Sequence, residues 1–190
     1  PSNVITITIP AGGTDRILFQ GFETCPSFTG IIANWQNLDL DLAPTSFWQN
    51  VTYPNAGNPA GWLCFEPQST IPPLTDHPAF EGNKMLASIC CIPPPNNDWL
   101  ISPVIHLGTA SSLQFKARSA YANFGLERLS VLISNINSEP ASFVPLHQNT
   151  YIAVPVEWTN YEYDLSAWNN QNVYLAWRCL SVDAMALFLD

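Results

Sequence analysis

At 190 residues the chain suits one domain that buries roughly 70% of its unfolded surface, and 47% hydrophobic against 11% charged residues excludes disorder. A formal net charge of −9 repels phosphate backbones and anionic lipid, so nucleic acid is excluded as a partner. No run reaches the roughly 18 apolar residues of a spanning helix, so no membrane insertion is expected within the chain, and the acidity suits divalent cations, neutral sugars and solubility outside the cell.

The predicted elements are short strands. Val4 to Ile9 alternates strictly as VITITI, and Arg16 to Phe22, RILFQGF, follows an AGGTD turn. Leu42 to Asp76 is rich in Pro, Asn and Gly and reads as mostly loop, either functional or folded back as a cover. It carries Trp48, Tyr53, Trp62 and Phe65. Trp48, Tyr53 and Trp62 are candidate ligand-binding residues, because the aliphatic faces of sugar rings stack on aromatic rings; alternatively they anchor the loop to the sheet beneath. Further strands are predicted at Lys84 to Ile89, Trp99 to Ile101, Ser112 to Arg118, Arg128 to Ser134, Glu157 to Asp164, Val173 to Leu180 and Ala184 to Leu189, with a helical turn at Ser166 to Asn170. Asn97 and Asp98 are expected to bond the backbone of a turn, and Trp99 to begin a strand that Pro103 stops. Seventeen prolines punctuate these runs and no window carries a helical stripe over three turns, so the class is all-β, a sandwich or jelly roll. No internal repeat divides the chain. It reads as a single domain over residues 1–190, with residues 1–21 supplying strands at its edge.

The five cysteines, Cys25, Cys64, Cys90, Cys91 and Cys179, lack the paired spacing of a zinc site. One or two disulfides would fit an oxidising compartment; small buried hydrophobes are the other reading. His77, His106 and His147 stand far apart and read as surface or turn residues. Glu66, Asp76, Glu81, Glu127 and Glu139 form no acidic strand motif of the kind sandwich glycosidases carry, and no nucleophile elbow or phosphate loop occurs. The chain is therefore expected not to be an enzyme. Asn50-Val51-Thr52 is a formal glycosylation sequon, meaningful only in a eukaryotic secretory context. Cation binding remains: GFETC, NLDLDL and LFLD place Glu23, Asp39, Asp41 and Asp190 at strand ends, where backbone carbonyls are also free for a hard cation.

These same segments carry a resemblance. FETCPSFTGIIANWQNLDLDL is similar to the opening of cleaved-adhesin domains, also called choice-of-anchor J domains, and GNKMLASICCIPPPNNDWLISPVIHL resembles the family's N-x-W-L-I-S-P-x-I-x-L hallmark. LQFKARS, ERLSVLIS, EWTNYEYDLSAW and NVYLAWRCLSVDAMALFLD continue it in order, so it covers Phe22 to Asp190. It implies a jelly-roll β-sandwich, related in shape to carbohydrate-binding modules and MAM-like domains, with structural calcium. Glu23 and Asp190 become the leading Ca2+ ligands, Asp39 and Asp41 the next. The acidic turn departs from the family's D-x-D-G-D-G by lacking both glycines, which weakens Asp41 more than Asp39. The implied function is a non-catalytic adhesion or binding domain of a secreted or cell-surface bacterial protein, taking glycans or host proteins. The alternative is a carbohydrate-binding accessory module of a secreted hydrolase.

Overall fold

The computed structural model describes residues 5–10 and 14–190; Val4 and the predicted turn at 11–13 lie outside the described residues. In chain order the strands are β1 (Ile5–Pro10), β2 (Thr14–Gln20), β3 (Gln36–Asp39), β4 (Trp62–Phe65), β5 (Met85–Ile89), β6 (Asp98–Ile101), β7 (Ile105–His106), β8 (Ser112–Ser119), β9 (Glu127–Ser134), β10 (Val144–Pro145), β11 (Ile152–Val154), β12 (Thr159–Asp164), β13 (Asn172–Cys179) and β14 (Ala186–Leu189). They form two antiparallel sheets packed as a jelly-roll sandwich. One runs β2-β1-β8-β14-β5-β4, with β12 on the other edge of β8; the second runs β10-β9-β13-β6-β3, with β11 on β9 and β7 on β13. Strands β1 and β14 lie end to end along β8, pairing with Ser112 to Gln114 and with Ala117 to Ser119, so the two ends of the chain close one sheet.

All nine predicted strands form, with ends shifted by a few residues, and the predicted helical turn is a 3-10 turn at Ser166–Trp168. Phe22 differs: it leaves the strand and enters a 3-10 turn, Phe22–Thr24. The alternation that predicts β8 is also its packing: Leu113, Phe115, Ala117 and Ser119 face inward while the residues between them are partly exposed. Five strands fall outside the prediction. Among them β4 lies inside the stretch read as loop, because WLCF is a continuous apolar run with no alternation. All four of its residues are buried, since β4 is covered on both faces.

Those two faces define two cores. Between the sheets lie Trp62, Leu86, Leu100, Phe115, Leu129 and Trp177. On the outer face of the first sheet Phe65, Met85, Ala87 and Phe188 pack under Trp48 and Tyr53 from the long loop. The loop is thus a cover, and its exclusion of water from a second layer of apolar side chains is what holds it down. A disulfide between Cys25 and Cys64 ties the segment after β2 to β4, while Cys90, Cys91 and Cys179 are buried free thiols.

Candidate functional site

Three connections meet at one end of the covered sheet and leave a cleft of about 530 Å³ between them. The long loop contributes Phe47 and Gln49, the β8–β9 connection Asn123 and Phe124, and the β13–β14 connection Asp183. Phe47 is 74% exposed and Phe124 65%. Trp48, Cys90, Ala184 and Met185 lie deeper. Phe47 directly precedes the buried Trp48 in sequence, and Phe124 lies three residues after the half-buried Tyr121. Trp48 is stacked near-parallel to Phe65 and Phe188, and its Nε1 donates to Tyr121 Oη at 3.3 Å, linking the two loops that carry Phe47 and Phe124. Gly57, at φ +81°, is what admits the Phe47 ring: a Cβ there would sit 2.6 Å from its Cζ.

The rings named from sequence as candidate ligand contacts form no exposed platform. Trp48 is 5% exposed, Tyr53 6% and Trp62 0%. Tyr53 packs on Phe28 and Phe65, and Trp62 sits between the sheets with its Nε1 donating to Asp98 O at 3.3 Å. Trp48 and Tyr53 take the anchoring position, supplying apolar area that holds the loop on the outer face of the sheet, while Trp62 belongs to the core between the sheets. His77 is also a correction. It is buried between Trp48 and Tyr121, with its Nδ1 3.4 Å from Arg118 Nη2, and burial lowers its pKa, opposed by Asp76 and reinforced by Arg118.

The four carboxylates named as metal ligands separate into two groups. Glu23 and Asp190 meet the turn before β5: Glu23 Oε1 accepts from the N–H groups of Asn83 and Lys84, and Asp190 Oδ2 from those of Phe80 and Glu81. Burial raises the Asp190 pKa to about 7, with Glu23 and Glu81 adding to the rise and the two backbone donors opposing it. Asp39 and Asp41 instead lie where β3 leaves the second sheet. There they meet Asp98, a residue that sequence reasoning assigned only to a turn. Ligand oxygens of the three lie within 4.8 Å of one another.

Asp98 is 1% exposed. Its Oδ2 accepts from Ser88 Oγ and Asn96 Nδ2, whereas its buried Oδ1 has no partner. Burial is the main cause that lifts its pKa to about 7; the two hydrogen bonds oppose the rise, and Asp41 and Asp39 add to it. Asp39 Oδ1 caps the N–H of Leu42, and Asp41 bonds the N–H groups of Ala43 and Asn97. The orphaned oxygen in a group of three carboxylates is the arrangement a hard divalent cation completes, and it fits the calcium that the resemblance implies.

Two antiparallel sheets with a cleft among their end loops define the class by fold: a jelly-roll β-sandwich domain. Neither a protein-family model nor a curated protein matches the sequence. Among solved structures, the chain superposes on the K2 cleaved adhesin domain of Lys-gingipain with a TM-score of 0.64 and 17% identity, over 89% of this chain and 92% of that one. The K1 cleaved adhesin domain of Lys-gingipain from Porphyromonas gingivalis gives 0.62 and 19%, over 90% and 92%. TmCBM61, solved in complex with beta-1,4-galactotriose, gives 0.52 and 12%, over 90% of each chain. At these identities the likeness is one of fold, and at that level the resemblance read from the sequence holds.

Proposed function

We propose that the chain is a non-catalytic, calcium-stabilised binding domain of a secreted or cell-surface protein, and that its loop end engages glycans or proteins outside the cell. The observation that carries this reading is the cleft. Its exposed rings and polar side chains make a contact surface, and Asp183 is the single carboxylate among its described lining residues, where glycoside hydrolysis needs a facing pair. A shared fold leaves function to be argued from the site, so the adhesin and galactotriose-bound neighbours support the reading as analogues only. The Cys25–Cys64 disulfide supports an oxidising compartment. For calcium, Asp39, Asp41 and Asp98 are the ligand set the geometry favours. Glu23 and Asp190 each already satisfy one oxygen with two backbone donors.

The test is a binding screen in calcium and in EDTA against immobilised oligosaccharides and extracellular host proteins, run beside a reducing-sugar release assay on the same saccharides. Calcium-dependent capture without sugar release supports the reading. Sugar release by the purified chain would overturn its non-catalytic part, and the absence of any capture would overturn binding.

A further inference from the structure

The cleft says more about its ligand than that one binds. Its exposed rings are Phe47 and Phe124, and the segment that carries each also carries an aromatic side chain turned inward, Trp48 and Tyr121. Trp48 fixes the segment of Phe47, Tyr121 that of Phe124, and the Trp48–Tyr121 hydrogen bond joins the two supports. Phe47 is further seated against the Cα face of Gly57. Segments tied together in advance lose less conformational entropy when a partner stacks on the rings they carry.

The same cleft is lined by Gln49, Asn123 and Asp183, all exposed. Among the described residues no hydrogen bond uses the side chains of Gln49 or Asn123, which leaves their amide donors and acceptors to a ligand. No Lys, Arg or His lines the cleft among the described residues, and the one charge there is the carboxylate of Asp183 in a protein of net charge −9. An anionic ligand would meet repulsion with no counter-charge. A purely apolar one would desolvate three polar side chains without repayment. A ring that offers C–H faces on one side and hydroxyl groups at its edge meets both demands, and a cavity of about 530 Å³ falls within the roughly 300–1,000 Å³ typical of small-ligand sites.

We infer that this cleft is a binding site for a neutral saccharide, with Phe47 and Phe124 as stacking faces and Gln49, Asn123 and Asp183 as hydroxyl partners. The inference rests on the binding-domain reading above and narrows it to one site and one ligand class.

The experiment is calorimetric titration of the calcium-loaded chain with neutral oligosaccharides (galacto-, gluco-, manno- and xylo-series) and with acidic ones (oligogalacturonate, sialyllactose). The wild type, Phe47→Ala, Phe124→Ala and the control Phe80→Ala are compared, each checked for an unchanged unfolding midpoint. Binding of at least one neutral series, weakened about tenfold by Phe47→Ala and by Phe124→Ala but unaffected by Phe80→Ala, is the expected result. Neutral saccharide binding that survives both cleft variants overturns the site while leaving the binding-domain reading standing. Preference for the acidic series overturns the ligand class. Failure of every saccharide overturns the inference, and capture of a host protein in the screen above would then show that the broader reading survives it.

Discussion

Ser88 Oγ donates a 2.6 Å hydrogen bond to Asp98 Oδ2, joining β5 of the covered sheet to β6 of the other. The contact holds the Asp98 carboxylate in place beside Asp39 and Asp41 with its Oδ1 unpartnered, so removing the charge and removing the packing have different consequences. In Asp98→Asn the side-chain volume stays while the anionic ligand goes. Calcium at a hundredfold excess over its Kd stabilises a folded state by about 2.7 kcal/mol, which in a domain of this size raises the unfolding midpoint by roughly 5–10 °C. We expect that rise over EDTA in the wild type and its disappearance in Asp98→Asn. Glu23→Gln keeps an acceptor for Asn83 and Lys84 and should lose the same small amount in calcium and in chelator. Loss of the calcium effect in Glu23→Gln with retention in Asp98→Asn would move the ion to the turn before β5.

Neighbouring rings in the long loop make a sharper comparison. Trp48 is 5% exposed within the outer aromatic cluster and Phe47 is 74% exposed. Trp48→Ala removes a large buried side chain and should cost about 3–5 kcal/mol, whereas Phe47→Ala should change stability by less than about 0.5 kcal/mol. Urea unfolding at matched protein concentration checks both. Equal effects would mean that the loop is not the cover the structure shows.

That contrast marks what the sequence could convey. The alternation of SLQFKARS and the apolar runs bounded by Pro and Asn made the sandwich legible, because a strand with one buried face writes its packing into residue order. The role of the loop was legible only as two alternatives. Nothing in FWQN distinguishes Phe47 from Trp48, since which ring turns inward is decided by the sheet beneath and by Gly57 ten residues on. Asp98 escaped for a related reason: it precedes a tryptophan in what reads as a turn, and its approach to Asp39 and Asp41 depends on the antiparallel pairing of β3 with β6, which sets Asp39 opposite Asp98. Glu23 and Asp190 were named together, and both do meet one turn, though 167 positions separate them in the chain.

The Cys25–Cys64 disulfide closes a loop across 39 positions, and loop-closure entropy alone assigns such a bond about 4 kcal/mol. It pins the start of the long segment to β4. Reduction, or the double variant Cys25→Ala with Cys64→Ala, should lower the midpoint by roughly 10 °C without altering the β-sheet circular dichroism at low temperature. The buried Cys90, Cys91 and Cys179 thiols should stay unreactive toward a thiol reagent until the chain unfolds, since burial raises the pKa of each well above its ordinary value. Labelling of more than two thiols in the folded, reduced protein would contradict this.

Glu127 supplies a pH dependence of definite sign. It is 1% exposed at the start of β9, with Oε1 unpartnered, and burial raises its pKa from 4.5 to about 7 despite hydrogen bonds from Ser181 and from the backbone of Met185 and Ala186. Between those two values the folded chain holds a proton that the unfolded chain has released. The stability it contributes is therefore complete below pH 4.5, falls as pH rises toward 7 and is lost above it. The loss amounts to about 3 kcal/mol at most. In Glu127→Gln the group no longer titrates, so the midpoints of variant and wild type should lie close together near pH 4 and separate as pH rises, with the variant the more stable at pH 8. Asp98 and Asp190, whose pKa values are raised in the same direction, contribute alike to both proteins and drop out of the difference when both are measured in EDTA. A gap that stays constant from pH 4 to pH 8 would mean that Glu127 is equally ionised in the folded and unfolded chain, against the raised pKa that its burial gives it.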